Sequence, residues 1–364
     1  MDSYLAQTKF VFVRNNITMD FKPSQISQAE AEKLASEGKA TYHDLVPSQL
    51  KELFIIGNLA KIQNKAEVDS MADYKSFANG RQSGVLYFHY PWLQKVFRTV
   101  GADDFFALRT NRNQDLFTAE EQQKLRGFNV AVLGLSVGSN IAFMLTQAGI
   151  ANKIFLADPD TLDTSNLNRI FTGIQDLGVN KSYMASRKIT ECNPYAEVVP
   201  LEQGIDAEKL ESLLQKEKID CIVEEVDSLP VKIATRKLAL KYKVPVVMIT
   251  DNGFSIILHI ERYDLGYDKV FEKDPASWDT KLGGAKDIQA VSQIIVEDII
   301  GGMQHIDQRL AASGMKIFTK QLVSWPQLGS TAMLGGVVVT QAVKKIALKE
   351  HSEPFVKAFI KVDF

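Results

Sequence analysis

A glycine-containing turn between an apolar strand and a helix constrains the fold more than any other stretch of this sequence. The β-branched run Asn129–Leu133 leads directly into Gly-Leu-Ser-Val-Gly-Ser at residues 134–139. Residues 141–148 then have the apolar spacing of a helix, and residues 154–156 form a second apolar run that ends near Asp158. This order of strand, turn, helix and strand predicts an α/β fold with a doubly wound, mostly parallel sheet.

The same turn is a candidate phosphate site, because backbone N–H groups and a helix N-terminus meet there at the carboxyl end of the sheet. Gly134, Gly138 and Ser139 are the predicted contributors. Ser136 stands where dinucleotide-binding turns carry their second glycine, which weakens a dinucleotide interpretation. Asp158, at the end of the second strand, is placed to bond ribose hydroxyls. The turn by itself leaves open both a nucleotide site and a plain strand-to-helix turn.

Further motifs follow the turn in a fixed order. They are DPD at 158–160, SNLNR at 165–169, GVNK at 178–181, Asn193-Pro194 and EVDS at 225–228. This set, spread over residues 109–263, resembles the adenylating domain of the ThiF/MoeB superfamily, which includes the ubiquitin-activating enzymes. The segments GLSVG, DLGVNK and ERYD resemble most an uncharacterised branch related to ThiF–nitroreductase fusion proteins.

The resemblance implies a Rossmann-like adenylation domain over residues 101–364, with a C-terminal lid and helices, and ATP with Mg²⁺ as its cofactors. Asn166 and Arg169 are three residues apart, so one helical turn would place them on the same face. The implied nucleotide-binding residues are Gly134, Ser136, Gly138, Ser139, Asp158, Asp160 and Asn166.

Four charged residues are implied to carry the chemistry. Arg112, Arg169 and Lys181 would surround the phosphates, and guanidinium groups suit phosphate oxygens because their planar fork stays charged. By position in the R-x-N-R segment, Arg112 is implied to reach the ATP of a second subunit, so the resemblance also implies a homodimer. Asp227, after a buried strand, would give Mg²⁺ a carboxylate oxygen ligand.

The positions of the cysteines limit the chemistry. Cys192 and Cys221 are the two cysteines, and both are interpreted as small buried hydrophobic residues. They form no C-x-x-C pair, so we expect no structural zinc. Thiol-relay relatives use a cysteine in a loop after the strand predicted at 244–250, where this sequence has none. A thioester on that loop is therefore excluded in cis, whereas adenylation is not.

Composition sets broad limits on domain number and class. The 364 residues are long enough for one large or two medium domains, and 45% hydrophobic with 24% charged residues is ordinary globular composition. A net charge of -2 without a basic block argues against a large nucleic-acid surface. We found no apolar run of membrane-spanning length and no secretory signal, so we expect a cytoplasmic protein without a membrane partner.

Residues 1–100 are predicted to form a separate small α+β module. A hairpin is expected from residues 9–13 and 17–21, and the capping box at Ser27 predicts the start of a helix. Aromatic residues are dense between 87 and 106. They indicate core packing against the main domain, and a clamp for a peptide or other acyl substrate is the alternative.

The remaining predictions concern single elements after residue 181. We expect a helix at 182–191 with its Lys and Arg side chains outward, and an antiparallel strand at 256–263. Residues 267–287 are expected to form a loop or lid, and 327–332 a polar turn. A helix at 334–349 is expected to pack back on the sheet, and a last strand is expected at 355–362.

The function implied by these observations is that of an ATP-dependent adenylyltransferase. It would activate a carboxylate of a peptide, small protein or metabolite as an acyl adenylate, without a catalytic cysteine in cis. Three alternatives stay open, namely a tRNA-dehydratase-like enzyme, a non-catalytic scaffold subunit and a nicotinamide or flavin oxidoreductase. Ser136 and the series of Asn, Arg and Lys residues argue against the oxidoreductase.

Overall fold

The computed structural model of the protein describes residues 20–285 and 287–362. The hairpin predicted from residues 9–13 and 17–21 lies outside the described residues, except for its last two positions. No helix within the described ranges is both long enough and apolar enough to cross a membrane.

Residues 24–99 build a small sheet with three helices. Its elements are β1 (Ser24–Ile26), α1 (Gln28–Ser36), β2 (Thr41–Asp44), α2 (Val46–Gly57), α3 (Ala72–Gly80), β3 (Leu86–Tyr90) and β4 (Lys95–Thr99). The strand order is β1-β3-β4-β2, with β2 and β4 parallel and the other pairs antiparallel. The predicted capping box is confirmed, because Ser27 Oγ accepts from the Glu30 N–H and the Glu30 carboxylate accepts from the Ser27 N–H.

Aromatic residues of this small sheet contact the rest of the chain. The Tyr90 hydroxyl donates to the Thr190 carbonyl at 2.8 Å, and Trp92 Nε1 donates to the Glu191 carboxylate at 2.7 Å. Phe88 meets Tyr195 edge to face, with ring centroids 5.1 Å apart. These side chains are therefore engaged in packing, and the clamp role stays a prediction.

Residues 102–361 build a seven-stranded sheet between helices. The elements are α4 (Ala102–Thr110), α5 (Ala119–Arg126), β5 (Asn129–Leu133), α6 (Val137–Gln147), β6 (Lys153–Ala157), α7 (Lys181–Cys192), β7 (Glu197–Leu201), α8 (Ala207–Lys216), β8 (Cys221–Glu224), α9 (Leu229–Tyr242), β9 (Val246–Asn252), β10 (Ser255–Glu261), α10 (Ser277–Gly284), α11 (Ile288–Ile294), α12 (Gln308–Phe318), α13 (Gly329–Ala347) and β11 (Phe355–Lys361). The strand order is β11-β10-β9-β8-β5-β6-β7. Strands β5 to β9 are parallel, and β10 and β11 are antiparallel to their neighbours. The predicted Rossmann-like fold, its antiparallel far end and its last strand are confirmed.

Side chains of the central strand β5 alternate between two hydrophobic layers. Val130 and Val132 lie in the core cluster that includes residues of α6 and α13. Ala131 and Leu133 lie in the opposite cluster with residues of α8 and α9. Because successive side chains of a strand point to opposite faces, one fully buried strand supports both layers.

Helix α13 packs against the sheet as expected, but it begins at Gly329, so the polar turn expected at 327–332 is wrong. Close packing explains the glycine at 335, because a Cβ there would lie 3.1 Å from the Ile249 side chain. The loop expected at 267–287 is also only partly right. It contains α10, which buries Trp278 completely.

Helix α7 differs from its prediction in the direction of one side chain. Arg187 is buried rather than outward, and its Nε donates to the Asp20 carbonyl at 2.9 Å. Its guanidinium lies over the Trp92 ring, 5.3 Å from the centroid. The small sheet covers this face of the helix, and sequence spacing alone did not reveal that cover.

A buried ionic cluster joins β8, α9 and β10. Arg236 contacts Glu224 and Glu261, each at 2.5 Å, and all three side chains are fully buried. The Tyr263 hydroxyl and the Phe271 N–H also donate to Glu261, both at 3.0 Å. Charges removed from water must be paired, so this cluster ties the three elements together.

Candidate functional site

A cavity of about 1010 Å³ lies over the carboxyl ends of the parallel strands. Ligands of open α/β sheets bind in this position. Predicted site residues that line it are Ser136, Asp160, Asn166, Arg169, Lys181 and Asp227. The structure therefore brings together six residues predicted from five separate motifs.

The glycine turn is shaped by close backbone packing. Gly134 has φ +87°, and a Cβ at this position would lie 2.4 Å from the Glu225 carbonyl oxygen. Its N–H donates to the Ala157 carbonyl at 2.8 Å, so Gly134 is not the free phosphate donor that we predicted. Gly138 lies against β5, because a Cβ there would be 2.9 Å from Val132 Cγ1.

The N-terminus of α6 is open to a ligand. The Ser136 side chain at the N-cap makes no capping hydrogen bond within the described residues, and its Oγ accepts from Arg169 Nε at 3.0 Å. Ser139 Oγ donates to the Ser136 carbonyl at 3.0 Å. The first N–H groups of any helix lack intrahelical partners. This end of α6 therefore offers free donors beside a guanidinium, which together suit an anion.

The turn that carries Asn166 and Arg169 is held by α6. Asn140 Nδ2 donates to the Arg169 carbonyl at 2.7 Å, and the Phe171 N–H donates to Asn140 Oδ1 at 3.0 Å. Asn166 is buried, and its Oδ1 accepts from the Asp163 N–H at 3.0 Å. The guanidinium of Arg169 is only half-buried and also donates to the Ser165 carbonyl at 3.1 Å.

The two aspartates after β6 have different environments. Asp158 is buried, and its oxygens accept from the Leu135 N–H at 2.7 Å and the Asp160 N–H at 2.9 Å. Burial raises the pKa of Asp158, whereas Lys181 and these N–H donors act in the opposite direction. Asp160 is exposed in the cavity and contacts Lys181 Nζ at 2.9 Å. Asp158 thus shapes the turn, and its ribose contact stays a prediction.

Asp227 lies in the loop after β8, three positions beyond its last residue Glu224. Its side chain is exposed, and within residues 20–285 and 287–362 no hydrogen bond or ion pair occupies its carboxylate. Glu224 Oε1 instead accepts from the Val226 N–H at 2.8 Å and from Lys232 Nζ at 2.9 Å. The buried ionic cluster therefore fixes the loop, and Asp227 is left unpaired.

The chemistry of Asp227 fits Mg²⁺, which favours carboxylate oxygens together with substrate phosphates and water over a closed protein cage. In the described residues, around Asp227 as well as elsewhere, no group of three or more His, Cys, Asp or Glu side chains is placed to hold a metal ion.

Arg112 does not line the cavity of its own chain. It is exposed in a short 3-10 helix, Asn111–Asn113. Asn113 anchors this segment, because its Nδ2 donates to Gln122 Oε1 at 2.8 Å and to the Ala148 carbonyl at 3.2 Å. A role for Arg112 at the phosphates thus requires a second subunit, as the resemblance implied.

Polar residues of the cavity that sequence reasoning did not assign to the site include Glu225, Asp251 and Gln327. Glu225 accepts from the Ile249 N–H at 2.9 Å, and burial raises its pKa well above the ordinary value. Gln327 Nε2 donates to Asp251 Oδ2 at 3.1 Å, and burial raises the pKa of Asp251 to about 6 despite Gln327 and Arg169. An acid at a strand end was the available signal for Asp251, as it was for Asp158. Gln327 had none.

Neither cysteine belongs to the cavity lining. Cys221 is buried in β8, and burial raises the pKa of its thiol. Cys192 ends α7, half-buried, and burial raises its pKa as well. A raised pKa disfavours the thiolate, so neither side chain is prepared to act as a nucleophile.

Comparison with known proteins places these features in a family. A sequence model described as the ThiF family matches residues 108–364. The chain is 35% identical over 278 residues to the uncharacterised protein MT1398 of Mycobacterium tuberculosis (strain CDC 1551 / Oshkosh), covering 76% of this chain and 37% of that protein. The chain thus spans little more than a third of the length of this relative. It is 27% identical over 143 residues to the sulfur carrier protein ThiS adenylyltransferase of Escherichia coli (strain K12), covering 38% of this chain and 55% of that protein.

A solved structure agrees in fold. The E. coli tRNA N6-threonylcarbamoyladenosine dehydratase, TcdA, in complex with AMP matches with a TM-score of 0.50 and 18% sequence identity. The match covers 69% of this chain and 98% of that chain. At this identity the likeness describes the fold.

Proposed function

Because the chain belongs to the ThiF family, we propose that it adenylates a carboxylate with ATP, without a cysteine nucleophile from residues 1–364. The observation that carries this proposal is the open N-terminus of α6 beside Arg169, in a cavity that also holds Lys181 and Asp227. Related family members are named adenylyltransferases. The assignment to the branch related to nitroreductase fusions stays a prediction.

In this proposal the carboxylate of the substrate attacks the α-phosphorus of ATP, and pyrophosphate leaves with the electron pair of the broken P–O bond. The carboxylate then has AMP as a good leaving group. The free N–H groups of α6 and the guanidinium of Arg169 neutralise charge on the phosphates. Lys181, fixed by Asp160, adds a second cation.

Mg²⁺, when bound, would neutralise the departing pyrophosphate and orient it. Asp227 would hold the ion through its unpaired carboxylate. Glu224 contributes indirectly, because it holds the Val226 N–H and so positions the loop that carries Asp227. Positioning and charge stabilisation are the main contributions that a protein makes to such a transfer.

Thermal unfolding with and without ATP and Mg²⁺ tests the binding step. A ligand at about 100 times its Kd stabilises the folded state by about 2.7 kcal/mol. We expect ATP to raise the Tm of the wild type but not of Arg169→Ala or Asp227→Asn. The matched control is Arg98→Ala, which removes a cation from an ion pair with Asp44 in the small sheet, and it should keep the full shift.

Isotope exchange between pyrophosphate and ATP tests the chemical step across a panel of carboxylates. Exchange that needs a carboxylate supports adenylation. A wild type that binds no ATP, or a fully active Arg169→Ala variant, would contradict the proposal.

We further propose that the protein acts as a homodimer. Arg112 is exposed and away from the cavity of its own chain. Four large apolar side chains outside the cavity lining are also exposed, namely Phe171, Ile174, Met333 and Val337. Sedimentation should show a dimer, and Arg112→Ala should weaken ATP binding while leaving the dimer intact. A monomer with normal ATP binding would refute this role.

A further inference from the structure

The cavity extends beyond the predicted phosphate site beneath a cover formed by residues 289–327. This cover comprises most of α11, a π-helical turn (Ile295–Ile300), a short 3-10 helix (Met303–His305), α12 and the segment that leads to α13. Its side chains that line the cavity are mostly apolar, including Val296, Ile300, Met303, Ile306, Leu310 and Trp325. We call this part of the cavity the cover chamber.

Polar contacts hold the cover on the sheet. Asn252 Nδ2 donates to the His305 carbonyl at 2.9 Å, and the Asp307 N–H donates to Asn252 Oδ1 at 2.9 Å. Lys281 Nζ, from α10, contacts Asp298 at 2.8 Å. These contacts fix the cover without filling the chamber beneath it.

Two large apolar side chains of the chamber keep much of their surface exposed. Met303 is 56% exposed and Trp325 is 46% exposed, although both line the cavity. An exposed apolar surface that is contiguous with a polar site is typical of a ligand pocket.

Charge divides the cavity into two parts. Its cations are Arg169, Lys181 at the start of α7 and Lys232 near the start of α9. Among the described residues that line the cavity between 289 and 327, none is Lys or Arg. Gln327, the last residue of the cover, donates to Asp251 of β9 at 3.1 Å, and both residues line the cavity. A ligand with one carboxylate can therefore pair that carboxylate with cations only outside the cover chamber. A second carboxylate of the ligand, placed in the chamber, would have no cation to pair with.

We propose that the carboxylate substrate is a monocarboxylic acid with an apolar body, aliphatic or aromatic, and that this body lies in the cover chamber. This inference rests on the proposed adenylation for its reaction, but the chamber is a binding site in its own right. The carboxylate faces the cations beside the α6 N-terminus. The body removes the apolar surfaces of Met303 and Trp325 from water.

Titration of the whole protein with butyrate, hexanoate and octanoate tests the chamber directly by calorimetry. Each pair of added methylenes should tighten binding roughly tenfold, because each buried methylene contributes to transfer from water. Glutarate and glycylglycine, which carry a second charge or a polar body, should bind at least tenfold more weakly than octanoate. Emission of Trp325 should change on octanoate binding, and Trp325→Phe should remove that change.

A charged substitution in the chamber provides the variant test. Met303→Asp should weaken octanoate binding at least tenfold, because it places a carboxylate beside the alkyl chain. Since Met303 is exposed, folding should survive the change. The matched control is Leu59→Asp, at a residue 63% exposed in the small sheet's module, and it should bind as the wild type does.

The outcomes separate this inference from adenylation. Equal binding of glutarate, glycylglycine and octanoate would refute the proposal that the cover chamber binds the apolar body. Octanoate binding by Met303→Asp that equals that of the wild type would refute it as well. Pyrophosphate exchange supported by glycylglycine but not by octanoate would support adenylation and refute the inference of an apolar substrate. Octanoate binding that depends on Met303, without any pyrophosphate exchange, would support the cover chamber as a binding site and count against adenylation. Exchange that increases with chain length would support both.

Discussion

Asp251→Asn should stabilise the protein, and the gain should depend on pH. Burial raises the pKa of Asp251 from 3.8 to about 6, so the ionised form is disfavoured in the folded state. Its Oδ1 is buried and has no hydrogen-bond partner in the described part of the chain. A neutral amide can still accept the hydrogen bond from Gln327 and does not carry the buried charge.

The magnitude follows from linkage between ionisation and folding. Between pH 4 and 6 the folded state binds more protons than the unfolded state, so stability falls as pH rises through this window. Above both pKa values the cost of ionised Asp251 is about 3 kcal/mol. At pH 4.5 it is only about 1 kcal/mol, because the folded state is then largely protonated at this position.

Urea unfolding at pH 7.5 and pH 4.5, with wild type and variant side by side, measures both values. Asp227→Asn is the control, because Asp227 lines the same cavity with an exposed side chain and should change stability by less than about 0.5 kcal/mol. An Asp251→Asn gain that is equal at both pH values, or a loss at pH 7.5, would refute the assignment of the cost to burial of the charge.

Three further substitutions test the framework around the site. Gly134→Ala should lower the free energy of unfolding, measured in urea, by more than about 2 kcal/mol, because its Cβ would meet the Glu225 carbonyl. The control Gly266→Ala has a similar φ of +89° but open space around its Cβ, so it should lower the free energy of unfolding by about 1 kcal/mol. Equal losses for the two variants would contradict the steric argument. Arg236→Met should lower the free energy of unfolding by about 3–5 kcal/mol, since buried Glu261 loses its cation and buried Glu224 keeps only Lys232, and a change under 1 kcal/mol would show that the cluster is not needed. Thr118→Ala should cost about 1 kcal/mol through loss of the α5 cap, visible as a small decrease in Tm, and an unchanged Tm would argue against the cap.

Local patterns in the sequence predicted much of the fold and part of the site. The turn at 134–139, the apolar runs and the capping box at Ser27 depend on neighbouring residues, so their structural consequences could be read directly. The motifs around Asp160, Arg169 and Asp227 follow strand ends, and parallel strands bring their carboxyl ends to one edge of a sheet. That is why side chains from separate motifs were expected in one place, and why they line one cavity.

Tertiary packing decided the features that sequence reasoning missed or mistook. Arg187 has helical spacing typical of an outward side chain, but the small sheet covers it. Asp251 and Gln327 are 76 positions apart, and no local pattern joins them.

The sequence by itself determined the doubly wound sheet, the glycine-containing turn and the charged residues near it, because each depends on short-range order. Only the tertiary structure decided which acids are removed from water, where the cover lies and how the cavity divides into charged and apolar parts. Burial and desolvation depend on everything that surrounds a group, and those surroundings come from segments far apart in the chain.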